Sequence, residues 1–252
     1  MLAALNRGET ETVNLVEWLA VDHAALLERA LEAFPSDVRE TLVASALRRA
    51  TDGIKSRIET TGKELGAALC ASQDDHDDKD ALRRLSSHRS DVVRAWAAYA
   101  RIAAPETSFE ERLRQMRIFA ADPNMSVREC AWLAARRWVV DEMPRALRLL
   151  APWALDADAN VRRCAVEGTR PRGVWCRHSA LLKDDPTPGF PLLEPLRADP
   201  SRYVQNAVAN WLNDASKSRP GLVRTLCARW EHESPAKATA YIVRRAQRSL
   251  RR

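Results

Sequence analysis

The stretch DADANVRRCAVEGTR, residues 156–170, combines an aspartate-rich turn with the start of a helical segment. Val161 follows Asp156 by five residues, and small and apolar residues then recur at helical spacing. The same order is found in DPNMSVRECAWLAARRW (122–138) and DPSRYVQNAVANWLND (199–214), and the shorter SDVVRAWAAYA (90–100) shares the valine and the small-residue helix. The sequence therefore contains an internal repeat that pairs a turn with an amphipathic helix.

The period of this repeat predicts the fold class. The repeat valines, Val93, Val127, Val161 and Val204, are separated by 34, 34 and 43 residues. Units of this length, each opened by a turn and helix cap, are typical of HEAT-like solenoids. Because no convincing alternating strand pattern occurs, we predict an all-α, right-handed superhelix with a concave basic groove. We expect one domain over 1–252, with N-terminal helices (1–85), recognisable repeats around the active site (86–225) and basic C-terminal helices (226–252).

Composition limits the classes of partner and compartment. The 252 residues carry a net charge of +6, which fits a polyanionic partner and fits arginine-rich codon usage equally well. No apolar run of about 18 residues and no signal peptide is present, so we expect neither a membrane partner nor export. Five widely spaced cysteines without a CxxC pair favour a bacterial cytoplasmic, nucleoid-associated protein without disulfides. The acidic stretch SQDDHDDKD (72–80) is expected to be a solvated loop, and we predict no metal site.

The basic residue after each repeat valine has two interpretations. Arg128 and Arg162 follow Val127 and Val161. Recurring arginines could form an electrostatic track for a phosphate backbone. They could equally form aspartate–arginine pairs between successive repeats, and the sequence leaves both interpretations open.

Three carboxylates stand where a structural repeat does not require them, namely Glu129, Glu167 and Asp214. Equivalent positions on stacked helices face the same surface, so we expect the three acids to converge on one cleft. Each also has a structural interpretation, as a helix-dipole partner, a plain salt bridge and a helix cap. Their predicted surroundings, which we assign to DNA binding, are Arg163, Arg170, Arg172, Lys217, Trp132, Trp175 and Trp211. The three tryptophans could equally belong to the core.

Acids on a surface that faces DNA are repelled by phosphates unless they meet a positive charge. A purine alkylated at N3 or N7 is cationic, and loss of its base leaves an oxocarbenium-like sugar. Carboxylates can stabilise such a sugar and orient a water molecule, as in glycoside hydrolysis.

Two motifs resemble a known family. VRRCAVEGTRPRGVW (161–175) and YVQNAVANWLNDASKSRP (203–220) are similar to the paired signatures of AlkC/AlkD-type DNA alkylation repair proteins, and the AlkC branch is the nearer match. With SVRECAWLAARRW (126–138), the resemblance covers about residues 120–220. It implies a HEAT-like, monofunctional DNA glycosylase of base excision repair that needs no cofactor or metal. The substrates implied are positively charged alkylpurines in duplex DNA, such as 3-methyladenine and 7-methylguanine.

The resemblance also implies roles for single residues. Asp214, with Glu167 and Glu129, would form the active-site acids, and Asp214 is the first choice for stabilising the oxocarbenium or positioning water. Arg163, Arg170 and Arg172 would hold phosphates or fix the acids in place. The chain departs from the family pattern at Val166, at Gly173-Val174 and at Gln205.

Two other functions fit the same sequence. One is a non-catalytic relative that recognises DNA through the same groove, and the other is a helical-repeat scaffold for proteins. Retention of three acids favours the glycosylase, because pure phosphate binding would favour their loss. We expect a monomer.

Overall fold

The computed structural model describes residues 1–71, 75–105 and 107–250. Across these ranges the chain is helical and contains no β-strand, so the all-α prediction is confirmed. The helices are α1 (Leu2–Asn6), α2 (Leu15–Ala20), α3 (His23–Ala30), α4 (Ser36–Arg48), α5 (Ile54–Ala71), α6 (Asp75–Ser86), α7 (Asp91–Ile102), α8 (Phe109–Ala120), α9 (Met125–Asp141), α10 (Met143–Leu150), α11 (Ala159–Gly168), α12 (Ala180–Asp184), α13 (Phe190–Leu193), α14 (Arg202–Ser216), α15 (Pro220–Glu233) and α16 (Lys237–Ala246).

One sequence-based expectation needs correction. The acidic stretch 72–80 is not simply a loop, because helix α6 begins at Asp75. Residues 72–74 lie outside the described residues. Within the described ranges, no helix is both long enough and apolar enough to cross a bilayer.

The chain divides into two compact units, residues 1–134 and 135–252, with the boundary inside helix α9. In the first unit, α7 packs against α5, α6 and α8, and almost its whole surface is buried. Gly62 and Gly66 allow the close approach of α5, because a Cβ at Gly62 would lie 2.4 Å from Cβ of Tyr99 and one at Gly66 would lie 2.8 Å from the Ala100 carbonyl oxygen. The core of the first unit thus depends on two glycines at the crossing of α5 and α7.

In the second unit, α14 packs against α11, α15 and α16. Its apolar side chains are fully buried, as those of Val204, Val208, Trp211 and Leu212 illustrate. Asn213 and Asp214 are buried in the same helix, which is unusual for polar residues and places them beside other polar groups. Helix α14 is therefore both the core of the second unit and the carrier of a predicted active-site acid.

The arginine after the repeat valine has a structural role that repeats along the chain. Nη1 of Arg94, Arg128 and Arg162 donates in each case to the carbonyl oxygens of the residues six and five positions earlier. Gln205, in the last copy, donates from Nε2 to the Asp199 carbonyl oxygen, also six positions earlier. The side chain after the valine thereby fastens the turn that precedes its own helix.

Two of these arginines also bind the turn aspartate of a following copy. Arg94 holds Asp122 with nitrogen–oxygen distances of 2.8 and 3.0 Å, and Arg162 holds Asp199 at 2.7 and 3.1 Å. We call these two pairs the repeat ladder. Of the two interpretations open from the sequence, the structure shows aspartate–arginine pairing for Arg162. Its guanidinium is occupied by Asp199 and two carbonyls, so Arg162 is a structural residue here and not an open phosphate contact.

Candidate active site

The second unit places Glu167, near the end of α11, and Asp214, near the end of α14, on either side of Arg170. The Arg170 guanidinium donates from Nε to Oδ2 of Asp214 at 2.8 Å and from Nη1 to Oε2 of Glu167 at 2.9 Å. All three residues are buried, and each acid is only 3% exposed. We refer to these residues as the acid–arginine cluster. It brings together two of the three acids predicted from the sequence.

Each acid of the cluster uses one oxygen for Arg170 and turns the other toward a second cation. Oδ1 of Asp214 lies 3.5 Å from Nζ of Lys217, and Oε1 of Glu167 lies 3.6 Å from Nη2 of Arg163. These distances exceed an ordinary hydrogen bond. The Lys217 side chain is 48% exposed, so solvent screens its charge and its contact with Asp214 is weak. The outer oxygen of each acid is therefore held less tightly than the inner one.

Burial and charge act against each other in the cluster. Burial raises the pKa of Asp214 above its usual value. The charge and hydrogen bond of Arg170 and the charge of Lys217 oppose this rise. Burial also lowers the pKa of Arg170, but Glu167 and Asp214 outweigh it and hold the guanidinium pKa above its usual value. Asp214 thus takes up a proton more readily than an exposed aspartate, while Arg170 stays charged.

Trp211 joins α14 to the end of α11. Its Nε1 donates to the Thr169 carbonyl oxygen at 3.2 Å, and its ring packs edge-on against Phe190. A Cβ on Gly189 would lie 2.4 Å from the indole, so only glycine leaves room for the ring. The side chain is 0% exposed. In this structure Trp211 is therefore a core residue that fixes the register of the cluster, and not a surface that could contact DNA.

Arg136 was not singled out from the sequence, yet it organises the backbone beside the cluster. Its guanidinium is buried and donates to the carbonyl oxygens of Gly168, Arg170 and Arg177, the last at 2.9 Å. Burial lowers the pKa of this guanidinium. The apolar residues Ala135 and Val139 lie near Arg136 in the sequence and are also buried. Their apolar character is the sequence signal that could have identified Arg136 as a residue of the buried helix face. An arginine on the buried face of a helix must find partners, and here they are three carbonyls.

The segment after Arg170 carries the remaining predicted residues of the second unit. Arg172 is half-buried and donates from Nη2 to the Ser218 hydroxyl at 2.7 Å. Trp175 is 58% exposed and adopts a left-handed backbone conformation with a φ of 59°. The segment is fastened at its ends, because the Ser179 amide donates to the Pro171 carbonyl oxygen and Arg136 holds the Arg177 carbonyl. Trp175 is thus presented to solvent from an anchored loop.

Arg163 links the cluster to an aromatic ring. Its guanidinium carbon lies 4.1 Å from the centre of the Tyr203 ring, a cation–π contact, while its Nη2 faces Glu167. Lys217, which follows the last residue of α14, is the exposed cation beside Asp214. Both residues lie where the sequence predicted basic neighbours of the acids.

The remaining predicted residues belong to the first unit. Glu129 accepts a hydrogen bond from Nε1 of Trp132 at 3.0 Å. The Trp132 side chain is buried, so it is a core residue in this structure. Arg128 binds the two carbonyls of its own turn. The catalytic role of Glu129 and its convergence with the other acids stay predictions.

The departures from the family pattern have simple structural counterparts. Val166 is fully buried, where an apolar side chain packs well, and Gly173 is buried in the loop before Trp175. Gln205 takes the place of the repeat arginine in the last copy. No group of three or more histidine, cysteine, aspartate or glutamate residues suited to a metal occurs among residues that the structure describes.

Comparison with known protein families gives a match over the C-terminal half of the chain. Residues 127–250 match the family model described as DNA alkylation repair enzyme. The match spans 124 of the 252 residues, just under half of the chain. The matched range contains the whole acid–arginine cluster, Arg136 and Trp175. The resemblance to AlkC/AlkD-type proteins that the motifs indicated is confirmed.

Solved structures with a similar fold include one that is named as an alkylpurine DNA glycosylase. The Pseudomonas fluorescens alkylpurine DNA glycosylase AlkC, bound to DNA containing an abasic site analog, is 28% identical with a TM-score of 0.71, and the match covers 93% of this chain and 62% of that chain. The smu.31 protein of Streptococcus mutans UA159 is 26% identical with a TM-score of 0.58, covering 77% of this chain and 96% of that one. AlkD2 of Streptococcus mutans, at 22% identity and a TM-score of 0.61 over 84% of this chain and 98% of that one, supports the fold alone.

A curated relative matches a shorter part of the chain. The uncharacterized protein YhaZ of Bacillus subtilis (strain 168) is 38% identical over 117 residues. The match covers 46% of this chain and 32% of YhaZ. The chain therefore spans about a third of that relative and less than two thirds of AlkC.

Proposed function

We propose that this protein is a DNA glycosylase that excises cationic N3- or N7-alkylated purines from duplex DNA. One observation carries the proposal: a region that matches the DNA alkylation repair enzyme family model buries two acids around one arginine and leaves one oxygen of each acid outside the Arg170 hydrogen bonds. Carboxylates held in place before the reaction can stabilise a positive charge that develops on the sugar.

The proposed chemistry follows from the charge on the alkylated base. The bond between C1′ of the deoxyribose and the purine nitrogen breaks, and its electron pair moves to the base, which leaves neutral. The sugar acquires oxocarbenium character, and the outer oxygen of Asp214 stabilises it. Water then adds to C1′ and loses a proton to solvent, giving a free base and an abasic site. The DNA strand stays intact, so the reaction is hydrolytic and monofunctional.

Other residues of the second unit have supporting roles in this proposal. Arg170 fixes the positions of both acids, and Glu167 supplies a second carboxylate beside the reacting sugar. Lys217 and Arg172 are placed to contact phosphates. Trp175, the exposed indole, would pack on the DNA beside the lesion, since a tryptophan face attracts a cationic base. Phosphate contacts would come from these basic side chains and not from Arg162 or the buried tryptophans.

The experiment is base release from methylated duplex DNA, measured by chromatography at several salt concentrations. Wild-type protein should release 3-methyladenine or 7-methylguanine and leave the strand uncut before alkali treatment. Asp214→Asn keeps the size of the side chain but removes the charge, and we expect base release to fall about 100- to 1,000-fold. Binding to undamaged duplex should change little.

Asp184→Asn is the matched control. Asp184 is an exposed acid of the same unit that pairs with Arg219, and we expect its loss to change base release by no more than about twofold. Equal activity of Asp214→Asn and wild type would make Asp214 a structural acid. Duplex binding without any base release by wild type would contradict the glycosylase and favour a DNA-recognition module.

A further inference from the structure

A second basic surface lies on the second unit, where α16 packs against α14. It is formed by four residues that we call the arginine stripe: Arg202, Arg244, Arg245 and Arg248. Arg202, Arg244 and Arg248 are exposed, and Arg245 is half-buried. None of these residues was among the DNA contacts expected from the sequence motifs.

Tyr241 is the centre of this surface. The Arg202 guanidinium carbon lies 3.6 Å from the centre of the Tyr241 ring, and those of Arg244 and Arg245 each lie 5.7 Å away. The tyrosine is itself fixed, because its hydroxyl donates to Oδ1 of Asn206 at 2.7 Å. Ring stacking restricts the long arginine side chains without neutralising their charge.

An asparagine, and not an acid, holds Arg248, the fourth arginine of the stripe. Arg248 donates from Nη2 to Oδ1 of Asn210 at 3.0 Å and from Nη1 to the Arg245 carbonyl oxygen at 2.9 Å. Neither residues 200–213 nor residues 235–252 contain aspartate or glutamate. In the part of the chain that the structure describes, none of the four arginines forms an ion pair with a carboxylate.

Gathering these cations without an acid is unfavourable unless an anion binds them. Burial lowers the pKa of Arg248, and the charges of Arg245 and Arg170 lower it further, while Asp214 opposes them. Nε of Arg245 is buried and has no hydrogen-bond partner. Excess positive charge and an unused donor both favour the binding of an anion.

We propose that the arginine stripe binds the phosphate backbone of duplex DNA. Several flat guanidiniums held side by side fit a row of phosphates, which arginine binds through paired hydrogen bonds. Arg248 lies within electrostatic range of Asp214, so the stripe is near the acid–arginine cluster. The choice of DNA as the polyanion rests on the proposed function.

The test compares the salt dependence of binding to an undamaged fluorescent duplex. The triple variant Arg202→Ala/Arg244→Ala/Arg248→Ala should bind about 10- to 100-fold more weakly near 0.1 M salt. The slope of log affinity against log salt concentration should become shallower by about two to three. Melting temperatures establish that this triple variant and the control variant described next are folded.

A second triple variant, Arg219→Ala/Arg224→Ala/Arg229→Ala, removes the same charge from exposed positions at α15. Arg219 and Arg229 are paired with Asp184 and Glu194, so this control should change the slope by less than about one. Equal losses in the two triple variants would overturn the proposal, since net charge alone would then explain them. An unchanged slope in the stripe variant would overturn it as well.

A variant that keeps every charge separates organisation from charge. Tyr241→Leu removes the ring beneath the arginines and should weaken duplex binding several-fold, whereas Tyr241→Phe should lose less. Preferential binding of single-stranded RNA by wild type, lost in the stripe variant, would overturn duplex DNA as the partner. The salt dependence is measured with undamaged DNA, so it tests only whether the stripe binds duplex. Base release is measured with methylated DNA and tests the glycosylase activity separately.

Discussion

Two arginines of the second unit, Arg162 and Arg170, hold carboxylates in different ways. Arg162 binds a single acid, Asp199, through two of its nitrogens, and its third nitrogen binds two carbonyl oxygens. The positive charge of Arg162 is therefore matched by the negative charge of Asp199 alone. Arg170 lies between Glu167 and Asp214 and binds one oxygen of each. The first arrangement is complete by itself. The second leaves the outer oxygen of each acid to a longer contact, with Lys217 at Asp214 and with Arg163 at Glu167, and this looser hold distinguishes the cluster from the Arg162 pair.

The largest expected effect comes from removing the shared arginine. Arg170→Gln leaves two buried acids facing each other, and we expect the free energy of unfolding at pH 7 to fall by roughly 3 to 5 kcal/mol. Urea unfolding measures this loss. Lowering the pH should restore part of the lost stability, because burial raises the pKa of Asp214 and its protonation removes the repulsion from Glu167.

Arg162→Gln is the matched change in the repeat ladder. Glutamine already occupies the equivalent position as Gln205 in the last copy, and Asp199 keeps its bond from the Ser201 amide. We expect a loss of only about 1 to 2 kcal/mol and unchanged base release. Equal destabilisation by the two glutamine variants would remove the distinction between ladder and cluster.

Arg136→Lys tests whether the carbonyl clamp positions the site. Lysine keeps the charge but cannot bind the carbonyls of Gly168, Arg170 and Arg177 as a planar fork. We expect about a tenfold slower base release, since small displacements at a reacting centre cost rate. Amide hydrogen exchange over residues 168–178 should become faster.

The neighbouring exposed residue supplies the control, since Arg137→Lys should alter neither quantity. Faster exchange with full activity would show that the clamp stabilises the loop without positioning the acids.

The smallest effect concerns pH. Because burial raises the pKa of Asp214, the ionised form that catalysis needs is lost at a higher pH than for a free aspartate near 3.9. Base release should therefore fall on the acidic side with a midpoint above about 4, and single-turnover rates between pH 4 and 7 measure it.

The stability contribution of Asp214 has the opposite sign to its effect on activity. The folded protein binds this proton more tightly than the unfolded chain, so the contribution is present at low pH and is lost as pH rises through the folded pKa. An acidic midpoint at the value of a free aspartate would argue that Asp214 is not the titrating group.

The sequence predicted the helical class, the repeat and the residues of the acid–arginine cluster. The helical class is confirmed, and the roles of the site residues stay predictions. The signals behind them are local: a valine five residues after an aspartate, and an acid three residues before an arginine. Arg170 and Asp214 are 44 residues apart in the sequence. Their proximity was expected from the motif resemblance and not from a local pattern.

Other parts of the site depend on packing that no local pattern records. The partners of Arg136 are carbonyl oxygens 32 to 41 residues away, and a carbonyl has no signature in the sequence. Trp211 and Trp175 have similar sequence surroundings of polar residues, yet one is buried and the other exposed. For Arg162, the same valine–arginine pattern fitted a phosphate track and a repeat ladder, and only the position of Asp199 decides between them.

The exposed ring of Trp175 has a practical consequence. Of the eight tryptophans in the chain, Trp138 and Trp153 are partly covered, five are buried, and Trp175 alone is largely open to solvent. Its emission should lie furthest to the red and should be the first to be quenched by acrylamide. The protein thus carries its own optical reporter within the anchored loop beside Arg170, and shielding of that emission would register a bound molecule without any added label.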